Sequence, residues 1–191
     1  DAWCWTWDQS VILASLWAKK VHWVDLSETS LKIAWDRKKY FNIENVQFDK
    51  WSVLDLPYEN ETFDIVYTTW VIHHTPDTYK AFQELVRVLK PGGTLVIFVY
   101  NKSNHIALDF ERWILTKLVW WNSLNKRFKL AKKLFPWRAK VKMHWKDDDN
   151  VNNNFSKPDA HVYDQYCVPI ANSYTTNHVI NKWFEKNGID Y

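Results

Sequence analysis

Two spacings of apolar residues take turns along this chain, and their alternation predicts its architecture. Val21 to Asp25, Val46 to Asp49 and Phe63 to Thr68 are short runs rich in β-branched and aromatic residues, as strands are. Between them the apolar residues recur at helical spacing. Asp8 is placed to cap a helix from Gln9 to about Lys19 that buries Val11, Ile12, Ala14, Ser15 and Leu16, and Ser27 caps another that runs to about Tyr40. The clearest pattern opens at Asp77, where Phe82, Leu85, Val86 and Leu89 share one helical face before Pro91-Gly92-Gly93 stops the helix. Thr94 to Tyr100 (TLVIFVY) shows no polar alternation, which predicts a strand buried on both faces at the centre of its sheet. A last helix is expected over about Thr176 to Asn187, ended by Gly188, with Ile189-Asp190-Tyr191 opening another strand. Strand and helix in alternation specify an α/β fold with a mostly parallel sheet. Asp1-Ala2 reads as the end of a first strand, so the chain is expected to begin, and at Tyr191 to stop, inside a larger protein.

Charge sets one segment apart. From Ser103 to Lys146, 11 Lys or Arg stand against 2 acids, a net +9, so the remainder carries −6 toward the total of +3. Phe110, Trp113, Ile114, Leu118, Leu130, Leu134 and Phe135 are interleaved with these charges. One or two amphipathic helices follow, inserted after the fifth strand. The plain reading is a lid with a solvated basic face; contact with an anionic substrate or a membrane surface is the functional alternative, and nucleic acid is not the expected partner. Lys146 to Pro158 is polar enough to be a loop. The expected organisation is a core over 1–102, the basic insertion and loop over 103–158, and a return to the core over 159–191.

Length and composition narrow the class. The 191 residues suit one domain, with 47% hydrophobic and 25% charged residues in the globular range. No run approaches the ~18 apolar residues of a membrane span and no signal layout opens the chain, so a cytoplasmic protein is expected. Cys4 and Cys167 form no CxxC pair, and no His stands at metal-ligand spacing, so neither a disulfide framework nor a metal site is expected.

Four segments carry chemistry through their order. DAWCWTWDQS lies at the first strand-to-helix turn, and Asp25 closes the second strand in VHWVDLS. SVLDLPYENETFDIVYTTWVIHH spans the fourth strand, and RVLKPGGTLVIFVYN leads into the fifth. An acid about 20 residues after a tight turn would also suit a dinucleotide's ribose. A dehydrogenase, however, would need a Tyr-x-x-x-Lys pair, and none stands at a suitable place.

In this order the segments resemble the class I S-adenosylmethionine (SAM)-dependent methyltransferases, in particular the small-molecule group with a Rossmann-like core, densely over residues 1 to 100. The resemblance implies a doubly wound, mostly parallel seven-stranded sheet, truncated here at both ends, with a helical insertion after the fifth strand. It implies SAM as the cofactor and a small-molecule, glycan or lipid-like methyl acceptor. The family's first segment reads DxGxGxG, and the matching positions here are Asp1, Trp3, Trp5 and Trp7, with Ala2 among them. Asp25, followed by Leu26, matches the acid that holds both ribose hydroxyls, a task suited to a carboxylate's paired acceptors. The same acid could instead cap the helix that begins near Ser27. Ser52 and Val53 stand where the family has Asp-Ala beside the adenine, and Asp55 in the DLPY turn is an alternative source of that carboxylate. Thr69, Trp70, His73 and His74 match the segment that lines the methyl-transfer pocket. One histidine is expected to pack or cap the next turn. The other would touch the acceptor, acting as a base only for a nucleophile that must lose a proton, since in-line alignment supplies most of the acceleration.

One feature of the composition conflicts with that resemblance. Glycine normally makes up about 7% of a chain, yet here 3 Gly accompany 14 Trp. Motif glycines allow tight turns and close approach to the cofactor, and indoles at Trp3, Trp5 and Trp7 would fill that space. Trp17, Trp23, Trp51 and Trp70 also stand where glycine is expected. One replacement residue recurring seven times points to UGA codons that the source reads as Gly. The rival is a non-catalytic relative with the methyltransferase fold, a scaffold or interaction protein whose cofactor pocket genuine indoles plug.

Overall fold

The computed structural model describes residues 18–119, 124–137, 170 and 172–191. The expected first strand, the helix from Gln9, the polar stretch from Lys146 to Pro158 and both cysteines lie outside the described residues. The chain divides into two units, Asp1–Asn101 with Asn172–Tyr191, and Lys102–Ala171.

The first unit is built from parallel strand pairs. β1 (Val21–Asp25) pairs with β2 (Val46–Lys50), β3 (Phe63–Thr68) with β4 (Leu89–Ile97), and β5 (Tyr100–Asn101) with β6 (Ser173–Tyr174). Parallel neighbours require a crossover, and helices supply it: α1 (Glu28–Tyr40) joins β1 to β2, and α2 (Thr78–Val88) joins β3 to β4. The α/β alternation is as expected. Among the described residues the three pairs stand as separate two-stranded sheets. In doubly wound folds the first strand lies centrally, and its expected residues are not among those described.

Local chemistry explains where the helices start. The Ser27 hydroxyl accepts from Ser30 N at 3.2 Å, and Arg37, Lys38 and Lys39 complement the negative end of the α1 dipole. Leu31 and Ala34 of α1 bury against Trp23, Val46 and Phe48. In α2, Asp77 caps through Lys80 N at 2.9 Å, and Ala81, Phe82, Leu85 and Val88 form the buried face. That face packs with Val53, Leu56, Val66, Val71, Ile72 and Trp183 in the main core, and Val86 and Leu89 are partly buried against it.

After α2 the chain enters β4 at once and carries Pro91-Gly92-Gly93 within the strand. Gly92 takes φ +74, and a Cβ at Gly93 would fall 2.8 Å from the Asp64 carbonyl oxygen. The first glycine is needed for its backbone and the second for close approach to β3. The two-sided burial expected of TLVIFVY is not observed. Val96 and Phe98 are exposed, and Tyr100 belongs to the short β5. Among the described residues β4 pairs with β3 along one edge, and exposed positions alternate along the strand from Gly93 to Val96.

The C-terminal helix, α5, runs as Thr176–His178, a π-helical Val179–Phe184 and a 3-10 turn Glu185–Asn187. Gly188 ends it in the left-handed region, as the sequence indicates. Ile189 to Tyr191 form no strand, and Tyr191 is exposed.

In the second unit the basic segment, expected to form one or two helices, contains two among the described residues. α3 (Lys102–Leu118) and α4 (Leu124–Leu134) pack through Leu108, Leu115 and Ala131, with Phe135 just beyond. The Arg127 guanidinium is buried with them, donating to the Thr116 hydroxyl and the Arg112 carbonyl. No helix of the described residues is long and apolar enough to cross a membrane.

Candidate functional site

Parallel α/β sheets bind ligands beyond the C-terminal ends of their strands, because loops and helix N-termini converge there. Every expected site residue that the structure describes lies at or just after such an end, apart from the small displacement of His73 and His74 into the following turn. Asp1, Ala2, Trp3, Trp5 and Trp7 lie outside the described residues.

The first group stands at the ends of β1 and β2. Asp25 is the last residue of β1 and 2% exposed. Its Oδ1 accepts from Ser27 N at 2.7 Å, so the carboxylate braces the entry to α1 while the other oxygen is not engaged by that bond. Of the two roles considered from the sequence, this bond is the bracing of the helix entry. Burial pushes the Asp25 carboxyl above its ordinary range, against the opposing pull of the Ser27 and Leu26 amides. Leu26 is exposed. In register, Asp25 faces Lys50, and Trp51 N donates to the Asp25 carbonyl at 3.2 Å, which brings the β2 exit beside the acid. Ser52 then turns the chain, its hydroxyl accepting from Leu54 N at 3.2 Å and its carbonyl from Asp55 N at 3.2 Å. Val53 is buried in the main core, whereas Asp55 is exposed.

The DLPY turn is held by a pair that the motifs did not suggest. Glu84 Oε2 accepts from Leu56 N at 2.9 Å. Arg87 donates to Leu56 O at 3.0 Å, to Tyr58 O at 2.7 Å and to Asn60 Oδ1 at 3.1 Å, while gripping Glu84 through Nε and Nη2. The guanidinium holds the Glu84 carboxyl below its usual range, and Glu84 raises Arg87 in return. A Glu-x-x-Arg spacing on a helix was the available signal, although a solvated pair would look the same.

The second group stands at the ends of β3 and β4. Thr68 closes β3, and its Oγ1 is buried with no hydrogen-bond partner. Thr69 and Trp70 follow. Trp70 has φ 66, a conformation that bulky L-residues rarely take, and is 45% exposed with its ring 4.2 Å from Phe98. A 3-10 turn, Ile72–His74, sets the two histidines apart. His73 is fully buried, its ring tilted against Tyr100 at 4.0 Å and against His74 at 4.3 Å, and its carbonyl accepts from Asn172 N at 2.7 Å. His74 is only half-buried. Asn172 Nδ2 also reaches Thr75 O at 3.1 Å and Thr78 Oγ1 at 3.0 Å, pinning the returning chain to the turn.

The tryptophans divide by burial. Trp183 is buried among Phe82, Tyr79 and Tyr174, as a native core residue would be. Trp23, expected as a displaced glycine, is 5% exposed and anchors the β1–β2 core. Trp51 and Trp70 are exposed.

A Rossmann-like α/β unit with a buried acid closing β1 is the architecture of the class I methyltransferases, and comparison with known proteins agrees. Residues 8–97 match the methyltransferase domain family, and the relatives that the chain resembles are methyltransferases. Phosphoethanolamine N-methyltransferase 2 of Caenorhabditis elegans is 31% identical over 114 residues, 59% of this chain and 26% of that protein. Demethylmenaquinone methyltransferase of Lactococcus lactis is 29% identical over 158 residues, 80% of this chain and 60% of that protein. The chain thus spans only part of both relatives. Among solved structures, the YcgJ protein of Bacillus subtilis aligns with TM-score 0.48 and 24% identity over 56% of this chain and 47% of its own.

Proposed function

We propose that the protein transfers a methyl group from SAM to a small-molecule, glycan or lipid-like acceptor. The observation that carries this reading is Asp25, a buried carboxylate ending a parallel strand inside the methyltransferase domain. Its geometry fits the ribose of the cofactor, because a carboxylate accepts two hydroxyl donors at once and the Ser27 amide already fixes its orientation. The unpartnered Thr68 hydroxyl at the end of β3 fits as well, since a polar ligand group arriving there would satisfy it. When bound, SAM supplies an electrophilic methyl on a sulfonium.

The chain's own work is to hold the reactants in line and exclude water. The turn from Trp51 to Asp55, fixed by Ser52 and the Glu84–Arg87 pair, walls the cofactor side. His74, half-buried where His73 is sealed behind Tyr100, is the histidine suited to take a proton from an acceptor. Relatives named for phosphoethanolamine and demethylmenaquinone mark a range of acceptors and do not choose within it.

The test is SAM binding by calorimetry on two full-length forms, one with glycine at residues 3, 5 and 7 and one with tryptophan. The glycine form is expected to bind, the tryptophan form to fail, and Asp25→Ala in the glycine form to weaken binding at least ~tenfold through lost charged hydrogen bonds. Absence of binding in the glycine form would sink the reading. The scaffold alternative then takes over, and Trp23, packed as a true core residue, is the observation in its favour.

A further inference from the structure

Asn172 holds the histidine turn at three points, and two of them flank His74. Its backbone N–H donates to the His73 carbonyl at 2.7 Å, and its Nδ2 donates to the Thr75 carbonyl at 3.1 Å and to the Thr78 hydroxyl at 3.0 Å. The sequence explains why a distant donor is needed. The 3-10 turn runs its bonds from His74 N to Val71 O and from Thr75 N to Ile72 O, so the next in the series would run from residue 76 to His73 O. Residue 76 is proline, which has no N–H to give. Asn172 supplies that donor from far along the chain. The same segment holds the ring beside the turn: Ser173 and Tyr174 pair with Tyr100 and Asn101, and the Tyr100 ring lies tilted against His73 at 4.0 Å and edge-on to His74 at 5.6 Å. The side-chain type matters as well. A carbonyl only accepts, so the atom facing Thr75 O must be a donor, and one amide nitrogen carries the two hydrogens that Thr75 and Thr78 require.

We propose that Asn172 is the positioning residue that aims His74 at the methyl acceptor, an inference that rests on the proton-accepting role given to His74 above. A base must come within hydrogen-bond reach of the proton it removes, so a small rotation of its backbone costs reactivity before it costs the fold. His74 stands on a three-residue turn, without a long helix or strand to direct it. Asn172 directs it instead, through the carbonyls of the residues before and after it. None of the three bonds reaches the group around Asp25, so the acceptor side can be disturbed while the cofactor side is left as it is.

NMR of the full-length protein with isotope-labelled histidine, and with glycine at residues 3, 5 and 7, tests it. His74→Gln assigns the His74 ring signals, whose position reports the ring's placement beside Tyr100. Asn172→Asp keeps the size of the side chain and the backbone bond to His73, but sets a carboxylate oxygen against the Thr75 carbonyl; Asn172→Ala removes the side-chain donor outright. Both are expected to move or broaden the His74 ring signals while those of His22, on β1, stay in place. The His74 and Thr75 amides should exchange about tenfold faster in both variants, and SAM affinity by calorimetry should stay within about twofold. Unchanged His74 signals in both variants overturn the inference. So does a disturbance that reaches His22 and SAM affinity equally, which would make Asn172 a general support of the fold. Absence of SAM binding in every form, with His74 displaced as expected, would remove the methyltransferase reading and leave the placement of His74 by Asn172 standing.

Discussion

An L-residue at positive φ brings its Cβ against the backbone, at about 1–2 kcal/mol, and glycine escapes that cost. Trp70 sits at φ 66 with nearly half its surface in solvent, so its ring contact with Phe98 recovers only part of the strain. Trp70→Ala removes the ring and keeps the Cβ; Trp70→Gly removes both. Urea unfolding should therefore find the glycine variant more stable than the alanine variant by about 1 kcal/mol, and equal stabilities would refute the backbone argument. Trp23 predicts the opposite sign. It fills the core between Phe48 and Ala34, so Trp23→Gly should lose about 3–5 kcal/mol. Asp25 adds a pH dependence. Its folded pKa lies above the ordinary 3.8, so the folded state holds a proton that the unfolded state releases. Stability from this group is full below 3.8 and declines as pH rises through the raised folded value. Asp25→Asn, which keeps the acceptor for Ser27 N, should flatten that decline in denaturation midpoints measured across the window. The place of Asp25 was legible because a strand end and a helix cap bracket it. The burial of Trp23 was not, since a strand pattern does not reveal what packs above it.

Helices and strands here follow from caps and periodicity, and their ends fall close to expectation for physical reasons. Ser27 and Asp77 each supply an acceptor to an otherwise orphan amide, and Gly188 supplies a left-handed stop. TLVIFVY misled because a run of apolar residues records β propensity and not how many faces are covered; Val96 and Phe98 are exposed. The loop clamp was illegible for a different reason. Glu84 and Arg87 sit more than a score of residues from the turn they hold, and nothing in local spacing announces the encounter. Arg87→Lys keeps the charge but loses the planar fork, and should cost about 1–3 kcal/mol by leaving the Leu56 and Tyr58 carbonyls short of donors. Amide exchange of Leu56, read by mass spectrometry, should accelerate in that variant. The Glu84 carboxyl, held below its ordinary 4.5 by Arg87, contributes stability that is present above 4.5 and lost as pH falls through the depressed value. In the Arg87→Lys protein that acid-side loss should shrink, and an unchanged profile would remove Arg87 as its cause.

Across the whole molecule, each βαβ unit could be read from the sequence, but their joining could not. A crossover helix dictates the parallel pairing of β1 with β2 and of β3 with β4, whereas the strand expected to lie between the pairs belongs to residues outside those described. The turn expected over residues 3 to 7, where glycine or tryptophan would decide whether a cofactor fits, also lies outside the described residues. The structure judges tryptophans one at a time, and it gives opposite answers at residues 70 and 23. A reassigned codon acts on all its positions together. Peptide masses of the protein from its own source therefore discriminate in a way that no single variant can. Recoding expects glycine at 3, 5, 7, 17, 23, 51 and 70 at once, with Trp183 retained as the buried indole its aromatic neighbours require. Glycine at 70 with tryptophan at 23 would mean that the two positions carry different codons, with Trp23 a genuine core residue like Trp183. Glycine at all seven would mean that the β1–β2 core around Phe48 closes differently in the native protein, and the large loss forecast for Trp23→Gly should then be absent when the other six positions are glycine as well.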